Sequence, residues 1–163
     1  MLYALEAMHN DGPFVHPDDY GKVNGVLRYS QGDAANGFNV SAMGYRATWN
    51  ASDQIAKRAV DAGQIGRFDA IDPSDGGEAH RYSLAGAWRR SDATSSTHIN
   101  AYLIDWQLKL YSNFTYFLDD PVNGDQFHQP DHRRTAGLNA SQTWDMPQST
   151  EIKVLMLECA VSC

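Results

Sequence analysis

The chain has 163 residues, 42% hydrophobic and 11% aromatic, with a formal net charge of −7 from 20 acidic against 13 basic side chains. The acidic balance argues against a nucleic-acid-binding surface, and no run of 18 apolar residues offers a transmembrane helix. Low mean hydropathy suits a soluble domain and also a barrel whose strands alternate, so composition leaves both open.

The N-terminal MLYALEAMHNDG lacks a basic region followed by an apolar one, so no export signal is read there. The chain is expected either to be cytosolic or to begin inside a longer one. Residues 2–9 alternate Tyr3, Leu5 and Ala7 against Glu6, a short strand. Asp-Gly-Pro and His-Pro-Asp-Asp then make 10–20 a loop. Residues 22–30 place Val23, Gly25, Leu27 and Tyr29 opposite Asn24 and Arg28, and 30–37 form a polar turn.

A strand follows at 38–49. Its apolar phase changes partway, from Phe38, Val40 and Ala42 to Met43, Tyr45, Ala47 and Trp49. Either a bulge near Ala42 reconciles the halves, or the lower end does not face the apolar side. Residues 50–80 make the longest connection. Within it Ser52 caps an expected helix over 53–62 that stops at Gly63, and Arg67–Ile71 offers an upward extension of the next strand. Residues 81–89 alternate Tyr82, Leu84, Gly86 and Trp88 against Arg81, Ser83 and Arg89, and 91–97 is a short turn.

The longest pattern comes next. From Tyr102 to Leu118 an apolar stripe (Tyr102, Ile104, Trp106, Leu108, Leu110, Phe114) alternates with Asp105, Gln107 and Lys109, and the strand is expected over 98–118. Seventeen residues at about 3.3 Å span roughly 56 Å, far beyond the usual 5–6 residues of a soluble strand. A membrane barrel uses such length, because about 9–11 residues cross and the rest project. The stripe is expected to face lipid and the polar set the lumen. Residues 119–134 form another long loop, and 135–144 alternate Ala136, Leu138, Ala140 and Trp144 against Thr135, Asn139, Ser141 and Thr143. The tail holds a turn near 145–149 and one ambiguous apolar run.

Long and short connections alternate strictly, as in an up-and-down outer-membrane barrel. Tyr29, Phe38, Trp88, Tyr102 and Trp144 border the short turns, as an interfacial girdle would. The expected fold is therefore an all-β antiparallel up-and-down meander, part of a transmembrane β-barrel with long external loops.

The segments GYRATWNASDQIAKRAV (44–60), IGRFDAIDPSDGGEAHRYSLAGAW (65–88) and SNFTYFLDDPVNGDQF (112–127) resemble the barrel region of proteobacterial TonB-dependent outer-membrane receptors, over about Asp18 to Trp144. That resemblance implies a barrel of about 22 strands around an N-terminal plug, driven through TonB. The plug and the TonB-contacting segment are absent from this chain. Residues 1–144 are therefore expected to be a partial barrel of about six strands, and 145–163 a divergent tail. The implied function is a fragment of an active-transport receptor in the cell outer membrane, taking up a scarce ligand such as a siderophore or cobalamin; sugar and peptide stay open. Its implied partners are outer-membrane lipid, TonB through the missing plug, and an unidentified small molecule. The alternative is a soluble or secreted β-meander that binds carbohydrate or protein through its loops.

Sites are sparse. No Ser/His/Asp or Cys/His arrangement suggests nucleophilic catalysis, so no enzyme and no cofactor are expected. Asp69, Asp72, Asp75 and Glu78 invite a calcium reading, but their spacing does not fit D-x-[DN]-x-[DN]-G, and a solvated turn is the expectation. His128, Asp131 and His132 lie in HQPDH, with a proline between the candidates. Cys159 and Cys163 are too far apart on a strand to bridge, and CxxxC without histidine is not a metal signature. The sequons at Asn39, Asn50, Asn113 and Asn139 read as accidental. Phe68, Asp72, Asp75, Phe127 and His128 are the candidate ligand-contacting loop residues.

Overall fold

The computed structural model describes residues 1–145 and 153–162. It contains β1 (Leu2–Asn10), β2 (Tyr20–Gly32), β3 (Gly37–Asn50), α1 (Lys57–Asp61), β4 (Gly76–Ser91), β5 (Ser95–Ser112), β6 (Phe127–Trp144) and β7 (Lys153–Ser162). The strands form one antiparallel sheet in the order β1 to β7, each beside its sequence neighbour. All six expected strands are present, and the ambiguous run in the tail is a seventh, paired with Thr135–Trp144. The turn expected at 145–149 falls, beyond Asp145, outside the described residues, as does Cys163. The sheet does not close on itself: β1 and β7 form its two edges.

The long strand is displaced from its expected position. It has 18 residues but ends at Ser112, so Asn113–Leu118 belong to a loop. Alternation continues through those six residues, yet Asn113 accepts the Tyr116 N–H at 2.8 Å and Tyr116 takes a positive φ of 62°. A side chain that offers the backbone a local acceptor ends the ladder there. β4 and β6 begin earlier than their patterns suggested, at Gly76 and Phe127, because β6 pairs along all of β5 and β4 along it from Ser96 to Tyr111.

The expected helix over 53–62 shrinks to Lys57–Asp61. Ser52 does not cap it: Ala56 occupies the cap position without a side-chain bond, and the Ser52 hydroxyl is buried without a partner. The residues expected to start the helix are drawn elsewhere, since the Asp53 carboxylate faces the Asn113 N–H and the Gln54 carbonyl accepts the Tyr116 hydroxyl. Gly63 does end it, with φ +68° and its N–H on the Val60 carbonyl. Arg67–Ile71 extends no strand.

Register assigns the faces, because side chains alternate across each strand and align with their cross-strand partners. Leu103 pairs with Leu84 and Ala136, and Ala101 with Gly86 and Leu138. Leu84 continues to Ala42 and then Leu27 and Tyr3. One face of the sheet is thus apolar across its middle. The stripe Tyr102, Ile104, Trp106, Leu108 and Leu110 lies on the other face, beside Ala85, Ser83, Arg81, Gly137, Thr135 and Arg133. The stripe expected to face lipid thus lies on the side opposite the one that Leu27, Ala42, Leu84 and Leu138 share. Pairing of β3 is unbroken from Gly37 to Asn50, so no bulge interrupts Ala42. Phe38, Val40 and Ala42 join the apolar face, and Met43, Tyr45, Ala47 and Trp49 join the stripe's face.

The described residues enclose almost no apolar interior. Among the described residues, Ala47 is the one buried apolar side chain, while Leu27, Val40, Leu84, Leu103 and Leu138 stay exposed. On the stripe's face, two glycines make room for rings. A Cβ on Gly137 would come within 2.4 Å of the Tyr102 ring, and one on Gly77 within 2.8 Å of Trp49. Aromatic cover over a glycine in a strand supplies the packing that residue lacks. Trp106 on the same face carries the Arg133 guanidinium 5.6 Å from its ring centre.

Candidate functional site

The three long connections, 11–19, 51–75 and 113–126, leave the same end of the sheet, and they pack on one another. The Val15 N–H donates to the Phe68 carbonyl at 3.0 Å, and the Phe14 and Phe68 rings meet edge-on at 6.4 Å. Asn50 holds the first connection from below, its N–H on the Asp18 carbonyl (2.6 Å) and its side-chain amide on the Pro17 carbonyl (3.0 Å).

Loop 113–126 is shaped by two acids. Asp125 accepts the N–H groups of Leu118, Asp119 and Asp120 at 2.7–3.2 Å. Asp120 accepts those of Val122 and Asn123 at 3.0 and 2.9 Å. These bonds favour the ionised carboxylates and hold both groups below the usual range, Asp120 through the Asn123 N–H and Asp125 despite partial burial. The run DDPVNGD folds on itself because each acid finds main-chain donors two to seven residues away.

The two larger loops clasp one another through a buried polar cluster. Asn113, 1% exposed, donates through its side chain to Asp72 at 2.8 Å and through its main chain toward Asp53 at 3.4 Å. Gln126 donates to Asp75 at 3.1 Å and to the Ser74 hydroxyl at 2.7 Å. Asp75 is 1% exposed, and its second oxygen is buried without a partner. Burial pushes its carboxyl up to about 6, and Asp72 and Asp53 add to the rise against the Gln126 bond. Burial raises the Tyr116 hydroxyl as well, followed by the same three acids.

The expected ligand-contacting residues therefore separate. Asp72 and Asp75, expected in a solvated turn, are turned into the clasp. Phe68 is half exposed beside Phe14, Phe127 is tilted against Phe114 at 5.4 Å, and His128 stacks on Tyr111 at 4.4 Å. HQPDH does not converge on a metal: His128 is engaged with Tyr111, Asp131 pairs with Arg133 at 2.6 Å, and His132 reaches Asp105 at 3.3 Å. Asp69 takes the Gly66 N–H, and Glu78 pairs with Lys109 across β4 and β5. One trio outside the expected set, His9, Asp11 and Asp19, has its ligand atoms within 4.8 Å of one another, but all three are exposed and each imidazole nitrogen already faces a carboxylate. Sequence reading missed Asp53, Asn113, Tyr116 and Gln126. The Asn-Phe-Thr motif at 113–115 was the available signal: an asparagine two or three residues before a backbone donor makes such a turn.

No protein-family model, curated protein or solved structure matches the chain. No helix among the described residues is long and apolar enough to cross a membrane, a test that does not bear on strands. The class defined here is an all-β up-and-down meander with one apolar face and a cap of interlocked loops.

Proposed function

We propose that this chain is a segment of an outer-membrane transport barrel of the TonB-dependent receptor type. The observation that carries the reading is the exposed apolar band on one face of the sheet. On β4, His80 and Arg90 bracket Tyr82, Leu84, Gly86 and Trp88, and the same face of β5 and β6 turns polar at Asp105, Arg134, Thr97 and Gln142. The ten residue steps from His80 to Arg90, at about 3.3 Å each and a tilt of about 45°, rise roughly 23 Å, near the ~25 Å apolar height of an outer-membrane barrel. Tyr29, Phe38, Trp88 and Trp144 line the short-turn edge of that face, with Tyr29 and Phe38 5.8 Å apart. Tyr102 lies on the opposite face and leaves the girdle.

In this reading the face bearing Arg28, Arg81, Arg133, Tyr102 and Trp106 lines the lumen. The edges β1 and β7 are continued by further strands, because unpaired backbone is not tolerated in lipid. The loop cap meets the ligand, with Phe68, Phe127 and His128 as the contacts available at its surface; Asp72 and Asp75 serve the clasp instead.

Detergent refolding of arginine variants tests the proposal. An arginine near the bilayer midplane costs about 2–4 kcal/mol on the lipid face and little in the lumen. Leu103→Arg should depress the yield of folded chain strongly, and Ile104→Arg only slightly. A soluble, monomeric chain in plain buffer, or a greater loss for Ile104→Arg, would refute the membrane reading and favour a water-soluble loop-binding meander.

A further inference from the structure

The loop clasp contains an imbalance of charge. Asn113 reaches Asp53 with its main chain and Asp72 with its side chain, the Asp75 N–H donates to the Asp72 carbonyl at 3.4 Å, and no salt bridge reaches any of the three acids among the described residues. Asp72 is satisfied: one oxygen takes the main chain and hydroxyl of Ser74, the other takes Asn113. Asp75 is not. Its second oxygen is sealed from solvent and lacks any donor, and so is the hydroxyl of Ser52. The two lie in neighbouring backbone, since the Ala51 N–H donates to the Asp75 carbonyl at 2.8 Å. Among the described residues, the Asp53 carboxylate takes the long contact from the Asn113 N–H and sits against the Asp75 carboxyl. A buried carboxylate with an acid for a neighbour is strongly unfavourable unless something positive, a proton or a metal ion, joins it.

We propose that a calcium-type divalent cation binds between the carboxylates of Asp75 and Asp53, with the Ser52 hydroxyl as a further ligand, and ties the two ends of loop 51–75 together where Asn113 and Gln126 of loop 113–126 pack on them. Two carboxylates neutralise the ion's charge, and an all-oxygen donor set suits a hard cation. Asp72 is a positioning residue here: it holds Asn113 and Ser74, and through them the partner loop, while leaving the cation to Asp53 and Asp75. Calcium is preferred to magnesium because the donors come from the two ends of an irregular loop, and calcium tolerates irregular geometry where magnesium demands an octahedron. The site does not depend on the membrane reading, since it joins the two ends of one loop whichever medium covers the sheet.

Terbium luminescence on the full chain tests it, in detergent micelles or, should the chain prove soluble, in buffer. The chain is stripped with a chelator and titrated with terbium, using Trp49 and Tyr116 as nearby antennae. Saturable emission should appear and be displaced by calcium with half-effect below about 1 mM, the range of extracellular calcium modules. Calcium should also slow proteolysis within 51–75 and 113–126. Asp75→Asn and Asp53→Asn should each weaken terbium binding at least tenfold, and Asp61→Asn, an exposed acid on α1, should leave it unchanged. Absence of saturable emission from folded wild-type chain would overturn the proposal. So would equal binding by wild type and Asp75→Asn. Protection of the loops by acid alone, with no response to calcium, would show that a shared proton occupies the site instead.

Discussion

Leu84 and Leu103 stand directly opposite one another across β4 and β5, and the side chains on either side of Leu103, Tyr102 and Ile104, pass to the other face of the sheet. This pairing sets the most conspicuous apolar pattern in the sequence on the side opposite Leu84 and its cross-strand neighbours. In β5 the faces differ less than alternation suggests, because Ile99, Ala101 and Leu103 occupy the face that turns polar at Asp105, Gln107 and Lys109. The strand is apolar on one side at its start and on the other at its end.

The contact between Tyr102 and Gly137 predicts a coupled pair of substitutions. Gly137→Val places a side chain where the tyrosine ring lies, and overpacking of this kind costs about 1–3 kcal/mol. Adding Tyr102→Ala should recover much of the loss. A double-mutant cycle on unfolding midpoints measures the recovery, and additive losses would show that the ring does not rest on the glycine.

Asn113 predicts a local effect. It is buried and uses both ends of its side chain, toward Asp72 and toward the Tyr116 N–H. Asn113→Leu strands the Asp72 oxygen and the Tyr116 donor, an effect of about 1–3 kcal/mol for each buried group. Hydrogen exchange in 51–75 and 113–126 should quicken while the strand amides keep their protection. Unchanged loop exchange would mean that the clasp contributes nothing to loop order.

The two short turns predict an acid dependence. Asp33 accepts the N–H groups of Ala35 and Asn36, and Asp92 those of Thr94 and Ser95. These bonds hold both carboxyls below their usual range, with the Asn36 and the Thr94 main-chain N–H as the leading causes. A carboxyl lowered in the folded state stabilises the fold above its unfolded value, near pH 4, and loses that contribution as pH falls through the folded one. NMR titration should place both midpoints below that of a free aspartate peptide. Midpoints at or above about 4 would contradict the turn geometry.

Strand existence was legible in this sequence because period-two alternation is local. Long and short connections were legible too, through Gly, Pro, Asp and Asn. Face assignment was not, since it depends on which residue of β5 meets Leu84, and register is a relation between strands that neither strand carries alone. The end of β5 was hidden for a related reason: alternation runs on through Phe114, Tyr116 and Leu118, and only the turn made by Asn113 breaks it. The clasp joins residues 41 and 60 positions apart, Asn113 with Asp72 and Asp53, so loop acids that look solvated in sequence are interior in the fold.

The four tryptophans divide evenly between the faces, so their contact with the apolar phase tells which face meets lipid. Trp88 and Trp144 lie with Leu84 and Leu138 on the apolar face, and Trp49 and Trp106 lie with Tyr102 on the other. Single-tryptophan variants of the chain, refolded in micelles of a brominated detergent, report contact with the apolar phase through fluorescence quenching. Strong quenching of Trp88 and Trp144, with weak quenching of Trp49 and Trp106, is the predicted result. Equal quenching of all four, or stronger quenching of Trp106 than of Trp88, would contradict the assignment of the apolar band as the lipid-facing surface.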